Sequence, residues 1–312
     1  MSERPTITVY IPSFNQRELL AETIESVLAQ TRLPDQILII DDASSDGSQD
    51  LIRQYADRYP GLIDPILKEK NSGISAVRSL AIEHTKCGLV TYVDGDDTFA
   101  PRKLELEEQA LLDNPEAGFA YTNFIFTDEH ANPLHEWDTT NNLPSGDLST
   151  RVLLRKFPKG CLYRSELVRT EIVRAAGSYR PDQSIYEDYD IKIRISARAH
   201  GVAINEPLHT YRLHSAGLSS LRFATHADAL EMLFEHNASI VESHSAQTKR
   251  AVKRYLSNAA WRVVRECAKR EHPLTRDSLK EYAKRAIQHR PLSICVPRNL
   301  SRLGRAWFRA ER

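Results

Sequence analysis

Three carboxylates stand within four residues at Asp94, Asp96 and Asp97, with Gly95 between the first two, directly after the apolar run Leu89-Val90-Thr91-Tyr92-Val93. Like charges held that close repel, and a hard divalent cation bound through oxygen is the usual remedy. Gly95 removes a side chain where a ligand or the chain itself must come close. An acidic turn leading into the next helix, with Pro101 in its first turn, accounts for the same residues without a metal. Further acids stand elsewhere: Asp42 closes a short apolar run, and Glu187, Asp188 and Asp190 form a second cluster. Arg212 and His214 follow the last strand-like segment. Each alone has a plain structural use as a helix cap, a partner for a helix dipole or a loop histidine.

The elements that would bring these residues together are legible from periodicity. Short apolar runs predict strands at Ile7 to Ile11, Ile37 to Ile40, Pro65 to Leu67 and Leu89 to Val93. Between them apolar residues recur at helical spacing, as in Leu20, Ile24, Val27 and Leu28, or Leu51, Ile52, Tyr55 and Tyr59, or Ala76, Leu80 and Ala81. Strands alternating with helices predict an α/β fold with a doubly wound, mostly parallel, Rossmann-like sheet. Ligands bind beyond the carboxyl ends of such strands, which gathers Asp42 and Asp94 to Asp97 on one edge.

Further along, Leu104 to Leu112 is expected as helix, Gly118 to Phe126 as strand, and Glu129 to Asp147 as a long functional loop. Leu148 to Lys156 and Ser165 to Ala175 read as short helices around a strand at Cys161 to Tyr163. Ser184 to His200 mixes strand alternation with capping-box spacing and is read as helix. Val202 to Ile204 and Leu208 to Leu213 return as strand-like segments. From about residue 225 three helical stripes predict an α-helical C-terminal extension, which divides the chain into domains 1–220 and 221–312.

The composition excludes some partners. Lysine plus arginine number 42 and aspartate plus glutamate 42, so no global charge points to nucleic acid. Cys87, Cys161, Cys267 and Cys295 form no CxxC pair, which fits reduced cytoplasmic thiols. The first residues carry no apolar signal segment and no run approaches a membrane span, so a cytoplasmic protein is expected. Around Leu300, Leu303, Trp307 and Ala310 lie Arg298, Arg302, Arg305, Arg309 and Arg312. Such a basic amphipathic helix either lies on the cytoplasmic face of the inner membrane or packs its apolar face on the preceding helices.

The ordered set of local motifs resembles the family 2 glycosyltransferases, which have the GT-A nucleotide-diphospho-sugar fold. The resembling residues are Val9-Tyr10-Ile11-Pro12-Ser13-Phe14-Asn15, Ser26 to Thr31, Ile40-Asp41-Asp42-Ala43-Ser44-Ser45-Asp46-Gly47 and Asn71-Ser72-Gly73-Ile74-Ser75-Ala76-Val77-Arg78. Asp94-Gly95-Asp96-Asp97, Glu187-Asp188-Tyr189-Asp190 and Tyr211-Arg212-Leu213-His214 complete it. The resemblance covers about residues 5 to 220. The chain departs from the pattern at Ser79, where the family often has asparagine, and at Ile191-Lys192-Ile193, which lacks the more usual aromatic.

That resemblance implies an inverting transfer of a sugar from a nucleoside diphosphate, with UDP or dTDP favoured, to a saccharide or lipid-linked saccharide hydroxyl. Pro12 and Asp42 would form the base pocket, Arg78 would lie near the base or diphosphate, and Asp94 would contact the ribose. Ser13, Asn15, Gly73 and Glu187 join the donor-binding set. Asp96 would hold Mn²⁺ or Mg²⁺, Asp188 would be the catalytic base, and Arg212 and His214 would approach the diphosphate, His214 as a further metal ligand. A sugar-nucleotidyltransferase would need a glycine-rich basic loop where Ser13 to Arg17 stands, and a non-catalytic nucleotide-sugar-binding module would need no acid at Asp188.

Overall fold

The computed structural model describes residues 4–183, 185–213, 223–269 and 275–310. The chain forms two units, Met1–Ser215 and Ala216–Arg312. In the first, β1 (Ile7–Ser13), α1 (Arg17–Leu28), β2 (Gln36–Asp41), α2 (Ser48–Arg58), β3 (Ile63–Leu67), α3 (Ile74–His84) and β4 (Leu89–Tyr92) follow one another as βαβ crossovers. Then come β5 (Thr98–Phe99), α4 (Lys103–Asp113), β6 (Ala117–Thr127), β7 (Pro133–Glu136), α5 (Ser149–Leu153), β8 (Leu167–Arg169), α6 (Thr170–Ala175), α7 (Glu187–Ser196) and β9 (His200–Arg212).

The sheet runs β3-β2-β1-β4-β8-β6-β9-β5, with β7 added on β6. The long ladders, β1 with β2 and β4, β2 with β3, and β6 with β9, are parallel. The antiparallel joins are only two or three residues long. β1 and β2 are buried throughout, as expected of strands covered on both faces. Ile7, Val9 and Ile11 alternate onto one face, where Leu20, Ile24 and Val27 of α1 and Ile52 of α2 complete the core. Each such side chain contributes roughly 1.5–3 kcal/mol by leaving water. Tyr10 points to the other face, where its hydroxyl meets that of Tyr179 at 2.9 Å.

Four expectations need correction. Cys161 to Tyr163 is not a strand; the strand is β8, and the helix expected from Ser165 begins only at Thr170. Ser165 adopts a left-handed φ of 51°, which breaks a helix there. The Glu129 to Asp147 loop contains β7. Val202 to Ile204 and Leu208 to Arg212 belong to one strand, β9, which ends before Leu213: Ile204 pairs with Thr122 and Pro207 with Asn123, so Asn205 and Glu206 bulge out.

The second unit holds α8 (Phe223–His236), α9 (Ala238–Ser243), α10 (Ala246–Lys269), α11 (Arg276–His289) and α12 (Pro297–Arg309). Trp261, Val264 and Cys267 of α10 and Leu279, Tyr282 and Ala286 of α11 form its core. Ala306 and Ala310 are buried in that core, and Leu303 and Trp307 pack against it. Of the apolar stripe noted at the C-terminus only Leu300 is exposed, at 51%. The stripe is therefore largely taken up by the unit's own helices. Among the described residues no helix is long and apolar enough to cross a membrane.

Candidate active site

The parallel register of β1 and β2, with Ser13 opposite Asp41, brings the loops after both strands out on one edge. Asn15, left-handed at φ 53°, ties them: its N–H donates to Ser44 Oγ (2.8 Å) and its Oδ1 accepts from Ser45 N–H (2.9 Å). Pro12 and Ser13 are buried at the end of β1, and Ser13 Oγ has no hydrogen-bond partner among the described residues. Asp42 is 3% exposed. It accepts from Lys68 Nζ (2.8 Å), Ser72 N–H (2.9 Å) and Gly73 N–H (2.8 Å). Burial opposes its ionisation, but Lys68 and the two amides outweigh burial and hold it below the usual carboxylate range. Gly73, at φ 82°, then starts α3.

The turn after β4 is packed against the loop after β1. A Cβ on Gly95 would lie 2.8 Å from Gln16 Oε1 and 3.1 Å from the Pro12 carbonyl oxygen, so a side chain there would displace Gln16 and press on the β1 backbone, and glycine suits the close approach. The three acids of this turn divide their tasks. Asp97 is 1% exposed; it accepts from Arg212 N–H at 2.9 Å and lies 3.2 Å from His209 Nε2. It fastens the turn to β9. Burial, and then the charge of Asp94, push its carboxyl up to about 7. Asp94 accepts from Arg78 Nη2 at 2.6 Å, and Asp96 is half-buried between them.

The raised Asp97 pKa makes stability depend on pH. The folded state keeps a proton on Asp97 that the unfolded chain has lost above about pH 4, so this group's contribution falls as pH rises from there to about 7. Asp97→Asn is expected to lack that decline. Urea midpoints at pH 5 and pH 8 should show the variant gaining on the wild type at the higher pH; an unchanged difference would contradict it.

Arg78 connects this turn to α7. It is 3% exposed, lies over the Tyr92 ring at 4.2 Å and reaches Glu187 Oε1 at 3.5 Å as well as Asp94. Tyr186, left-handed at φ 63°, turns the chain into α7, whose first turn carries Glu187, Asp188 and Asp190. Burial and then the charge of Asp188 push Glu187 up to about 7. Burial also opposes ionisation of Asp188, but Lys192, Arg164, Arg78 and Arg155 prevail and hold it below its ordinary value. Asp190 faces elsewhere, fully buried and paired with Arg194 and, at 3.4 Å, with Arg180. Asp188 lines a cavity of about 70 Å³ together with Arg155, Arg164, Phe124, Tyr189 and Tyr211.

Two expected residues remain, Arg212 and His214. Arg212 directs its guanidinium to Glu22 Oε2 on α1 at 2.7 Å. His214 lies outside the described residues. Among the described residues no three His, Cys, Asp or Glu gather as a metal cage. Half-exposed Asp96 beside Asp94 suits a cation bound by one or two carboxylates and completed by a ligand's phosphates. Sequence reading missed Arg155, Arg164, Glu166 and the function of Lys192. Lys192 is fully buried, 3.0 Å from Glu166 Oε1 and 3.3 Å from Tyr92 OH. Its signal was the cation inside the apolar strip of α7.

A family model described as Glycosyl transferase family 2 matches residues 8–169. The chain is 27% identical over 237 residues to the cholesterol galactosyltransferase of Borreliella burgdorferi, covering 72% of this chain and 65% of that protein. It is 29% identical over 134 residues to TuaG of Bacillus subtilis (strain 168), whose name assigns it to teichuronic acid biosynthesis; 43% of this chain is covered. The chain spans about half the length of TuaG (52%) and of EpsE from the same organism (46%). Among solved structures, S. aureus TarS 1-349 in complex with UDP-GlcNAc superposes with a TM-score of 0.71 at 13% identity, covering 97% of this chain and 89% of that one. The mannosyltransferase PcManGT from Pyrobaculum calidifontis, in complex with GDP-Man and Mn²⁺, gives 0.57 at 15% identity, with 98% and 86% covered. These likenesses show the same GT-A fold.

Proposed function

The chain belongs to glycosyl transferase family 2, and from that premise we propose that it moves a sugar from a nucleoside diphosphate to a saccharide hydroxyl with inversion, using Asp188 as base. The observation that carries this reading is Asp188 itself. It stands in the first turn of α7, held ionised by four cations, on the wall of an aromatic cavity, and its neighbour Glu187 shares Arg78 with Asp94. An ionised carboxylate can take the proton of an acceptor hydroxyl as that oxygen attacks the anomeric carbon. One base and one displacement give inversion.

The donor half of the reading rests on the tied loops. Asp42 and Pro12 flank the base, and the Lys68 amine on Asp42 is the donor that an imide N–H of uracil or thymine would replace. Asp94 would take the ribose. Asp96 would hold Mn²⁺ or Mg²⁺, which when bound neutralises charge on the departing diphosphate. Residues 1–220 would form the transferase domain and 221–312 a helical extension. The name of TuaG favours a glycan acceptor, and that of the Borreliella enzyme a lipid one.

A thermal-shift panel of UDP, dTDP, GDP, CDP and ATP, each with and without Mn²⁺, tests the donor site. A ligand that binds only the folded chain raises its stability by about 2.7 kcal/mol at a hundred times Kd. A metal-dependent shift with UDP or dTDP, lost in Asp96→Ala, is expected. No shift with any diphosphate would overturn the donor reading.

A further inference from the structure

The charge that balances over the whole chain is unevenly spread between its two units. Residues 216–312 carry 19 lysines and arginines against 9 aspartates and glutamates, whereas residues 1–215 carry 23 against 33. The excess is most concentrated near the end, where Tyr282 to Ala310 holds seven lysines and arginines and no acid. Of these, Arg285 is paired with Asp228 of α8. Arg290, Arg298, Arg302 and Arg305 form no ion pair among the described residues.

Two of the unpaired arginines stand beside the apolar side chains that this unit leaves in water. A single 3₁₀ turn, Pro291–Cys295, joins α11 to α12. Two buried polar residues fasten it: Asn299 Nδ2 donates to the Ser293 carbonyl oxygen at 2.9 Å, and Ser293 Oγ accepts from Trp261 Nε1 at 3.0 Å. With Ser293 and Asn299 turned inward and bonded together, Leu292, just before the one, and Leu300, just after the other, are 76% and 51% exposed. Each follows an exposed arginine by two residues, in Arg290-Pro291-Leu292 and in Arg298-Asn299-Leu300. This edge differs from the stripe of Leu303, Trp307 and Ala310, which the unit's own core takes up.

We propose that this edge rests on an anionic lipid surface, with Leu292 and Leu300 entering the acyl boundary and Arg290 and Arg298 lying at headgroup level. A nucleic acid would engage the arginines and leave the leucines without a partner. A folded protein would have to meet each arginine with a carboxylate and each leucine with a fitted pocket. A membrane offers continuous negative charge above a fluid apolar layer and needs no shaped complement. The contact is independent of the transfer chemistry, since it uses no residue of the site around Asp188.

The test is flotation of the full chain with phosphatidylcholine vesicles, alone or with about 30% phosphatidylglycerol. Binding to the anionic vesicles is expected to be at least ten times tighter. Arg290→Gln with Arg298→Gln should weaken it at least tenfold. Leu292→Ser with Leu300→Ser should weaken it at least fivefold, and what remains should vanish at about 500 mM NaCl, where the wild type keeps part of its binding. All four side chains are exposed, so unchanged thermal midpoints are expected of both variants. Equal binding to neutral and anionic vesicles, no binding, or wild-type binding by the leucine variant overturns the proposal. A lipid-free dimer in sedimentation that the leucine variant dissociates would assign the edge to a second copy instead. Displacement from vesicles by duplex DNA, with the leucine variant binding that DNA and the vesicles as the wild type does, would assign it to nucleic acid; either result overturns the membrane.

Discussion

Asp188→Asn is expected to lower the rate of sugar transfer by about 10²–10⁴-fold, the usual contribution of a positioned base, while UDP and Mn²⁺ raise the thermal midpoint as they do for the wild type. The amide has the same shape, so the first turn of α7 and its cavity persist, but it cannot accept the hydroxyl proton. The substitution also acts on its neighbour. The charge of Asp188 is, after burial, the main influence pushing Glu187 up to about 7; without it Glu187 ionises at lower pH. Any transfer left in Asp188→Asn that then vanishes on adding Glu187→Gln would identify Glu187 as a substitute base. Turnover within threefold of wild type would remove Asp188 from the role.

Lys192→Met is expected to destabilise the chain by about 3–5 kcal/mol, because it strands Glu166 as a buried carboxylate without its cation. Lys192 is 0% exposed and Glu166 4%, so water cannot replace the lost partner. The effect on chemistry has a separate sign. Burial raises the pKa of Asp188, and Lys192 is foremost among the charges that lower it. Removing Lys192 therefore raises that pKa, and the acidic limb of the kcat profile should move to higher pH. Arg164, Arg78 and Arg155 continue to favour the anion, so the limb shifts without activity being abolished at alkaline pH. Lys192→Met with Glu166→Leu should recover the urea midpoint but keep the shifted limb. An unmoved limb in the double variant would leave Lys192 a purely structural cation.

The first half of the sheet was legible because it is made of local signals. Ile7 to Ile11 and Ile37 to Ile40 are short, apolar and β-rich, the helices between them repeat at 3.6 residues, and parallel pairing follows from the alternation. The acids at strand ends were visible for the same reason. Long-range events were not. β8 is three residues inserted between β4 and β6, too short to leave a period. The β9 bulge at Asn205 and Glu206 exists only in register with β6. At the site, the sequence reading gave Asp97 no task of its own, whereas its contacts with His209 and the Arg212 amide make it the tie between this turn and β9, and Arg78 engages Asp94. Arg155 and Arg164 were silent because arginines in a loop are common; only the fold turns them toward Asp188.

Arg78 divides one positive charge between Asp94, at the end of β4, and Glu187, beside Asp188 on α7. A shared counter-ion cannot serve two acids independently: whatever alters the charge at Asp94 alters the field felt at the first turn of α7. Occupancy of the two sides is then joined by a coupling free energy, and such coupling is reciprocal. By whatever factor a ligand at Asp94 changes the affinity of one bound beside Asp188, the second must change the affinity of the first.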